Sequence, residues 1–70
     1  MAYEVWDIQT GNLMASFRLQ EEALALVRDA VEAHGEAYGL NLALVQEDEA
    51  GRTTTLATAD RLLDLARIPA

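Results

Sequence analysis

The side chains in this chain that could do chemistry are few and lie apart along the sequence. The one histidine, His34, falls at the end of a predicted helix, directly before Gly35. Histidine at that place commonly interacts with the helix dipole. The one serine, Ser16, falls in a predicted strand and points to the sheet face opposite that helix. Because a serine nucleophile needs an adjacent base and an oxyanion site, the sequence predicts no catalytic residues and no enzyme.

The densest group of charges is the acidic run Glu47-Asp48-Glu49. Calcium loops place oxygen ligands at alternating positions, with a glycine at the sharp turn and a distant bidentate glutamate. Consecutive acids point in different directions, so this run predicts a solvated turn and no metal site. Cation binding by these three residues stays open as the alternative.

Several kinds of site lack the residues they need. The chain has no cysteine, and its four glycines are scattered. These absences exclude disulfides, thiolate sites and a phosphate-cradling loop, so we expect no cofactor. The lack of cysteine also favours a reducing cytoplasm. The first residues lack the pattern of a signal peptide, and no apolar run approaches the roughly 18 residues of a membrane span.

The net charge restricts the partners. Twelve acids and five arginines, with no lysine, give a net charge of −7. A field of that sign repels phosphate backbones, so direct nucleic-acid binding is not expected. An attracted partner would be a basic protein surface or a cation. The same acidity also keeps a small protein soluble, and both interpretations remain open.

Seventy residues allow a single domain, covering 1–70. The hydrophobic pattern predicts the order ββαββα, in which two hairpins are each followed by a helix. The predicted strands span 3–8, 13–19, 40–46 and 52–57, the predicted helices span 20–34 and 59–67, and 36–39 is a predicted linker. These elements suffice for an α+β domain with a four-stranded antiparallel sheet and two helices on one face.

Several residues indicate where the predicted helices and the second hairpin begin, turn or end. Gly35 is placed as a C-terminal cap of the first helix, and Pro69 as the end of the second. Leu19 or Gln20 occupies the N-cap position that usually carries Ser, Thr or Asp, which predicts a weak helix start. Gly51 is the expected left-handed residue of the second hairpin.

The strand order has two solutions. A right-handed crossover that leaves the fourth strand between the second and third gives the order 1-2-4-3, a circularly permuted ferredoxin-like sheet. The order 2-1-3-4 is the alternative, and the hydrophobic pattern alone does not separate the two.

The first strand carries apolar groups on both faces. Tyr3 and Val5 share one face, and Trp6 and Ile8 share the other. Together with Met14 on the neighbouring strand, this predicts an apolar patch on the open side of the sheet, which is typical of an interface. The alternative makes Trp6 a core residue. The candidate interface residues are Tyr3, Trp6, Met14, Leu42 and Val45.

Two resemblances follow from longer stretches of the sequence. The chain resembles a group of small bacterial proteins of unknown function in the runs Tyr3-Glu4-Val5-Trp6-Asp7, Thr10-Gly11-Asn12, Gln20-Glu21-Glu22-Ala23-Leu24-Ala25-Leu26-Val27-Arg28, Ala33-His34-Gly35 and Leu42-Ala43-Leu44.

The run Glu21-Glu22-Ala23-Leu24 after a hairpin is also similar to the HicB antitoxin family. That family places a threonine before this run, where the present chain has Leu19 or Gln20, and it usually has three strands before the helix rather than two. The resemblance implies a HicB-like fold: an acidic, partial-RNase-H-like module that neutralises a small basic toxin as a dimer or higher oligomer.

These observations lead to one main functional hypothesis and one alternative. The main hypothesis is a non-catalytic protein-interaction module that forms a homodimer or higher oligomer and acts as an antitoxin-like, partner-masking protein. The apolar patch, or the strand at 40–45 as a sheet edge, would pair two copies. The alternative is a small-ligand or cation-binding domain.

Overall fold

The computed structural model of the chain describes residues 1–67 and confirms the predicted α+β fold with a four-stranded antiparallel sheet. The elements are β1 (Ala2–Asp7), β2 (Asn12–Phe17), α1 (Gln20–His34), α2 (Glu36–Gly39), β3 (Leu42–Glu47), β4 (Thr53–Thr58) and α3 (Ala59–Arg67). The segment predicted as a linker is thus the short helix α2. The predicted role of Pro69 lies outside the described residues.

The strands lie in the order β2-β1-β3-β4. Of the two orders that the sequence left open, this is 2-1-3-4, and the permuted ferredoxin-like order 1-2-4-3 is excluded. The prediction that the 40–45 strand is an edge is wrong, because β3 pairs with both β1 and β4. The physical reason is that β1 and β3 carry apolar side chains on both faces. Strands of that kind are favoured in the middle of a sheet, where side chains of two neighbouring strands shield them on each face.

The core lies between one face of the sheet and the helices. Its fully or almost fully buried side chains are Val5, Ala23, Val27, Leu42, Leu44, Ala57, Leu62 and Ala66. α1 contacts β1 and β2, α3 contacts β3 and β4, and the two helices pack against each other. Within residues 1–67, the domain therefore has two layers, with all its helices over the same face of the sheet.

The structure confirms the residues predicted at the two ends of α1. Leu19 stands at the N-cap and makes no side-chain hydrogen bond to the helix. Gly35 stands at the C-cap with a φ of 94°, and its N–H donates to the carbonyl oxygen of Val31 at 2.7 Å. Since only glycine adopts such a φ without a Cβ penalty, Gly35 ends α1 and allows α2 to start at once.

The sheet contains an approximate internal repeat. The units β1-β2-α1 and β3-β4-α3 have the same order of elements. Each hairpin has a β-bulge, opposite Val5 and Trp6 in the first and opposite Leu44 and Val45 in the second. Val5 and Leu44 are themselves cross-strand partners in the central β1–β3 pair. The two units are therefore joined through their first strands about an approximate two-fold axis.

β4 runs into α3 without a loop, and the joint is Ala59 with a φ of 49°. The left-handed region costs a residue with a Cβ about 1–2 kcal/mol. We therefore expect Ala59→Gly to raise the free energy of unfolding by about 0.5–1 kcal/mol, as measured by urea denaturation. Ala33→Gly, at an exposed position in α1, should lower it by about 1 kcal/mol. Equal losses in the two variants would contradict the strained joint.

Candidate functional site

The sheet face opposite the helices, which we call the open face, has no helix over it within residues 1–67. Its members follow from the pairing register, because cross-strand partners point to the same side. They are Ala2, Glu4 and Trp6 on β1, Ala43, Val45 and Glu47 on β3, Leu13 and Ser16 on β2, and Thr53, Thr55 and Thr58 on β4.

Trp6 stands at the centre of the open face. It pairs with Leu13 on one side and with Ala43 on the other. Its indole N–H donates to a carboxylate oxygen of Glu4 at 3.2 Å. Ala43 is only 7% exposed although it is not part of the core cluster. Because Trp6 and Thr58 flank it on the two neighbouring strands, we attribute its burial to these larger side chains. Trp6 is half-buried and leaves part of its surface to solvent.

Leu13 lies on the open face because of the bulge in β2. Met14 is the extra residue of the bulge, so Leu13 pairs with Trp6 while Ala15 pairs with Val5 on the helix side. Regular alternation along residues 13–19 predicts that Leu13 points to the same side as Ala15, and the bulge makes this prediction wrong. One inserted residue reverses the side on which every later side chain points. Leu13 is 46% exposed and widens the apolar area beside Trp6.

The five candidate interface residues do not share one surface. Trp6 and Val45 both lie on the open face, whereas Leu42 is completely buried in the core. Tyr3 lies on the helix side, where its hydroxyl accepts a hydrogen bond of 3.5 Å from the Gln46 amide. Met14 is 36% exposed at the bulge. Sequence reasoning missed Glu4, Leu13, Ala43 and Glu47 as members of the open face. The alternation of side chains along β1 and β3 could have identified Glu4, Ala43 and Glu47 as members.

The acidic residues lie at one end of the open face. Glu47, the last residue of β3, pairs with Ala2. Glu4 is the next residue of β1 that points to the open face. Asp48 and Glu49 follow in the turn at that end. The open face therefore has an apolar half around Trp6 and an acidic half, with Arg52 as the one basic residue of the adjoining turn.

The side chain of Asp48 stabilises the turn between β3 and β4. Its carboxylate accepts backbone hydrogen bonds from Ala50 and Arg52, both at 2.9 Å, and Gly51 adopts the predicted left-handed conformation with a φ of 84°. No group of three or more His, Cys, Asp or Glu side chains among the described residues is arranged to hold a metal ion. Glu47, Asp48 and Glu49 are thus neighbours in sequence that do not converge on one point.

His34 and Ser16 lie on opposite sides of the sheet. His34 is exposed at the end of α1 and packs against Tyr38 in a tilted arrangement, with ring centroids 4.8 Å apart. Ser16 pairs with Glu4 on the open face, which is the other side of the sheet. The structure therefore does not bring the histidine and the serine together.

The helix side of the described residues contains a cavity and a groove. The cavity, of about 190 Å³, lies between α1 and α3, where Arg28 donates to the carbonyl oxygen of Ala66 at 3.2 Å. The groove, of about 330 Å³, lies open between the β4 edge and α3. Its lining residues are Leu56, Ala57, Arg61, Asp64 and Leu65. We call it the β4 groove.

None of the helices in the described part of the chain is long and apolar enough to cross a membrane. A scan against protein-family models gives no match, and searches of curated proteins and of solved structures give none either.

Proposed function

We propose that this chain is a non-catalytic protein-interaction module that binds a basic protein partner through the open face and also self-associates. The observation that carries the proposal is the position of Trp6, which stands half-buried on an uncovered sheet face outside the core. Antitoxin-like masking of a small basic protein, in the manner of the HicB family, is one concrete form of this function.

The apolar half of the open face has the composition of an interface centre. Trp6 offers a large, rigid side chain, and tryptophan is among the residues that contribute most binding energy in protein interfaces. Leu13 and Val45 extend the apolar area on either side of it. A partner that covers this area would remove the exposed part of the indole from water, which favours association.

The acidic half of the open face favours a basic partner. Glu4 and Glu47 lie next to the apolar half, and the whole chain carries a net charge of −7. Complementary charge speeds association and selects among partners more than it adds affinity. An arginine of the partner could both pair with Glu4 and stack on the face of Trp6, since guanidinium groups bind aromatic faces. The partner surface that fits best therefore places arginine beside an apolar anchor.

The negative charge of the open face opposes self-association through that face. Two open faces brought together would bring Glu4 and Glu47 of one copy towards those of the other. Like charges facing each other across an interface oppose binding. The open face is thus suited to a different protein, and the sheet edges β2 and β4 are left for contact between copies.

The alternative of a small-ligand or cation-binding domain gains no argument from the described residues. Its candidate ligands were Glu47, Asp48 and Glu49, and one carboxylate oxygen of Asp48 already accepts two backbone hydrogen bonds. We therefore develop the protein-interaction proposal alone.

The proposal is tested with two peptides of alternating sequence, one of arginine and leucine and one of glutamate and leucine. Isothermal titration calorimetry should detect binding of the basic peptide only, and its affinity should fall as salt is added. The double variant Glu4→Gln/Glu47→Gln should bind about 3- to 10-fold more weakly, because two ion pairs near the rim of the interface are lost.

The matched control is Glu21→Gln/Glu32→Gln, which removes the same charge from exposed positions on α1. This control should bind the basic peptide almost as tightly as the original chain. Equal weakening in both double variants would mean that the peptide responds only to net charge. Binding of the acidic peptide with similar affinity would contradict the proposed basic partner.

A further inference from the structure

The β4 groove is lined by apolar groups at its base and by opposite charges on its walls. Leu56 on β4 and Leu65 on α3 are half-buried and also pack against the core. Arg61 and Asp64 on α3 are exposed beside them. The groove therefore offers apolar surface together with one positive and one negative side chain.

The dimensions of the sheet match those of a second helix in this groove. Neighbouring strands lie about 4.7–4.9 Å apart, so each two-stranded unit is about as wide as the 8–10 Å at which helices pack. Inside the chain, α1 and α3 already pack side by side over two hairpins that are joined at β1 and β3. The residues that line the opposite flank of α3, at the β4 groove, come from β4 and α3 alone. A second ββα unit joined at the β4 edge would place its helix there.

The β4 edge is also where two copies of this acidic chain can approach with little repulsion. β4 has the sequence Thr-Thr-Thr-Leu-Ala-Thr and carries no charge, although charged side chains are a common protection of sheet edges. Its bulge at Leu56 interrupts a regular ladder. Contacts between helices must therefore set the register of the two copies.

The charges on α3 complement themselves across a two-fold axis. Arg61 and Asp64 are three residues apart, so they lie on one side of the helix. In an antiparallel pair of α3 helices, Arg61 of each copy faces Asp64 of the other, and this forms two equivalent ion pairs. Within residues 1–67, the one ion pair joins Arg67 to Glu36. Arg61 and Asp64 form no ion pair with any of these residues.

We propose that a second copy of this chain docks at the β4 groove, with the two α3 helices antiparallel and with reciprocal Arg61–Asp64 ion pairs. The dimer is an eight-stranded sheet with all its helices on one side and both open faces on the other. This inference rests on the self-association part of the proposed function. It also leaves both open faces free to bind a partner.

Sedimentation equilibrium of the full chain, from micromolar to millimolar concentration, tests the inference. The original chain should form dimers. Arg61→Asp and Asp64→Arg should each raise the dimer dissociation constant by about tenfold or more, because each variant places like charges opposite each other. An equimolar mixture of the two variants should form a mixed dimer nearly as tight as the original, since every pair is then complementary. Both side chains are exposed, and circular dichroism checks that the variants fold.

Arg18→Asp is the matched control for Arg61→Asp, since it makes the same change in net charge at an exposed position just after β2. It should leave the dissociation constant unchanged. A dimer that resists both α3 variants, or that is broken by Arg18→Asp instead, overturns the inference but leaves self-association intact. A chain that stays monomeric at millimolar concentration overturns both. Binding of the basic peptide to the open face is measured separately and is not decided by any of these results.

Discussion

Replacing Leu44 by alanine is expected to destabilise the domain strongly. Leu44 is completely buried in central strand β3, between Val5 on β1 and Ala57 on β4. Removing a buried leucine side chain costs about 2–5 kcal/mol, because apolar contacts are lost and a cavity remains. At about 0.05–0.15 kcal/mol per residue, a chain of this length has a total stability of only about 3.5–10 kcal/mol. One substitution therefore removes a large part of it.

Urea denaturation followed by far-ultraviolet circular dichroism measures this loss. The control is Leu40→Ala, which deletes the same atoms at a position just before β3 that is 43% exposed. We expect the control to lose well under 1 kcal/mol, as exposed substitutions usually do. Similar losses in the two variants would contradict the assignment of Leu44 to the core.

Gly39→Ala should destabilise the domain through overlap between helices. A Cβ on Gly39, at the end of α2, would lie 2.5 Å from Cδ2 of Leu63 and 2.7 Å from Cγ2 of Val31. Both distances are well below normal contact, and Leu63 is itself buried. Overpacking of this kind costs about 1–3 kcal/mol. It outweighs the gain of at most about 1 kcal/mol that alanine brings to a helix.

A double-mutant cycle tests that cause. Val31→Ala removes one of the two overlapping groups and should itself destabilise the domain by leaving a gap. The double variant Val31→Ala/Gly39→Ala should lose less stability in urea than the sum of the single losses, because the added methyl group partly fills that gap. Strict additivity would show that the overlap is not the reason for the loss.

The helices were the part of the fold that the sequence predicted best. The bounds of α1 and α3 agree with the prediction, since apolar residues three and four positions apart mark a helix over many residues. The cap at Gly35 followed from a backbone requirement of glycine. The strand order could not be deduced in the same way, because pairing joins segments that are distant in sequence. The apolar residues on both faces of β1 and β3 were nevertheless a usable signal for the central positions.

The sequence predicted only part of the open face. The alternation of side chains along each strand explains which of the predicted residues belong to it. Trp6 and Val45 were assigned to the interface and do share this face. Leu42 stands three positions before Val45, so it had to point to the other side of the same strand. The placement of Leu13 was beyond sequence reasoning, because nothing around Met14 announces a bulge. The position of the acidic residues beside Trp6 likewise depends on the β1–β3 register.

The internal repeat has a consequence for how the chain folds. Each ββα unit is held by contacts between residues close in sequence, so each unit can begin to form by itself. The β1–β3 ladder, by contrast, pairs Asp7 with Leu42 and Ala2 with Glu47, and these partners are separated by most of the first unit and α2. Contacts between distant residues slow folding, because a long loop must close before they form. We therefore expect the rate-limiting event of folding to be the docking of two half-formed units along β1 and β3.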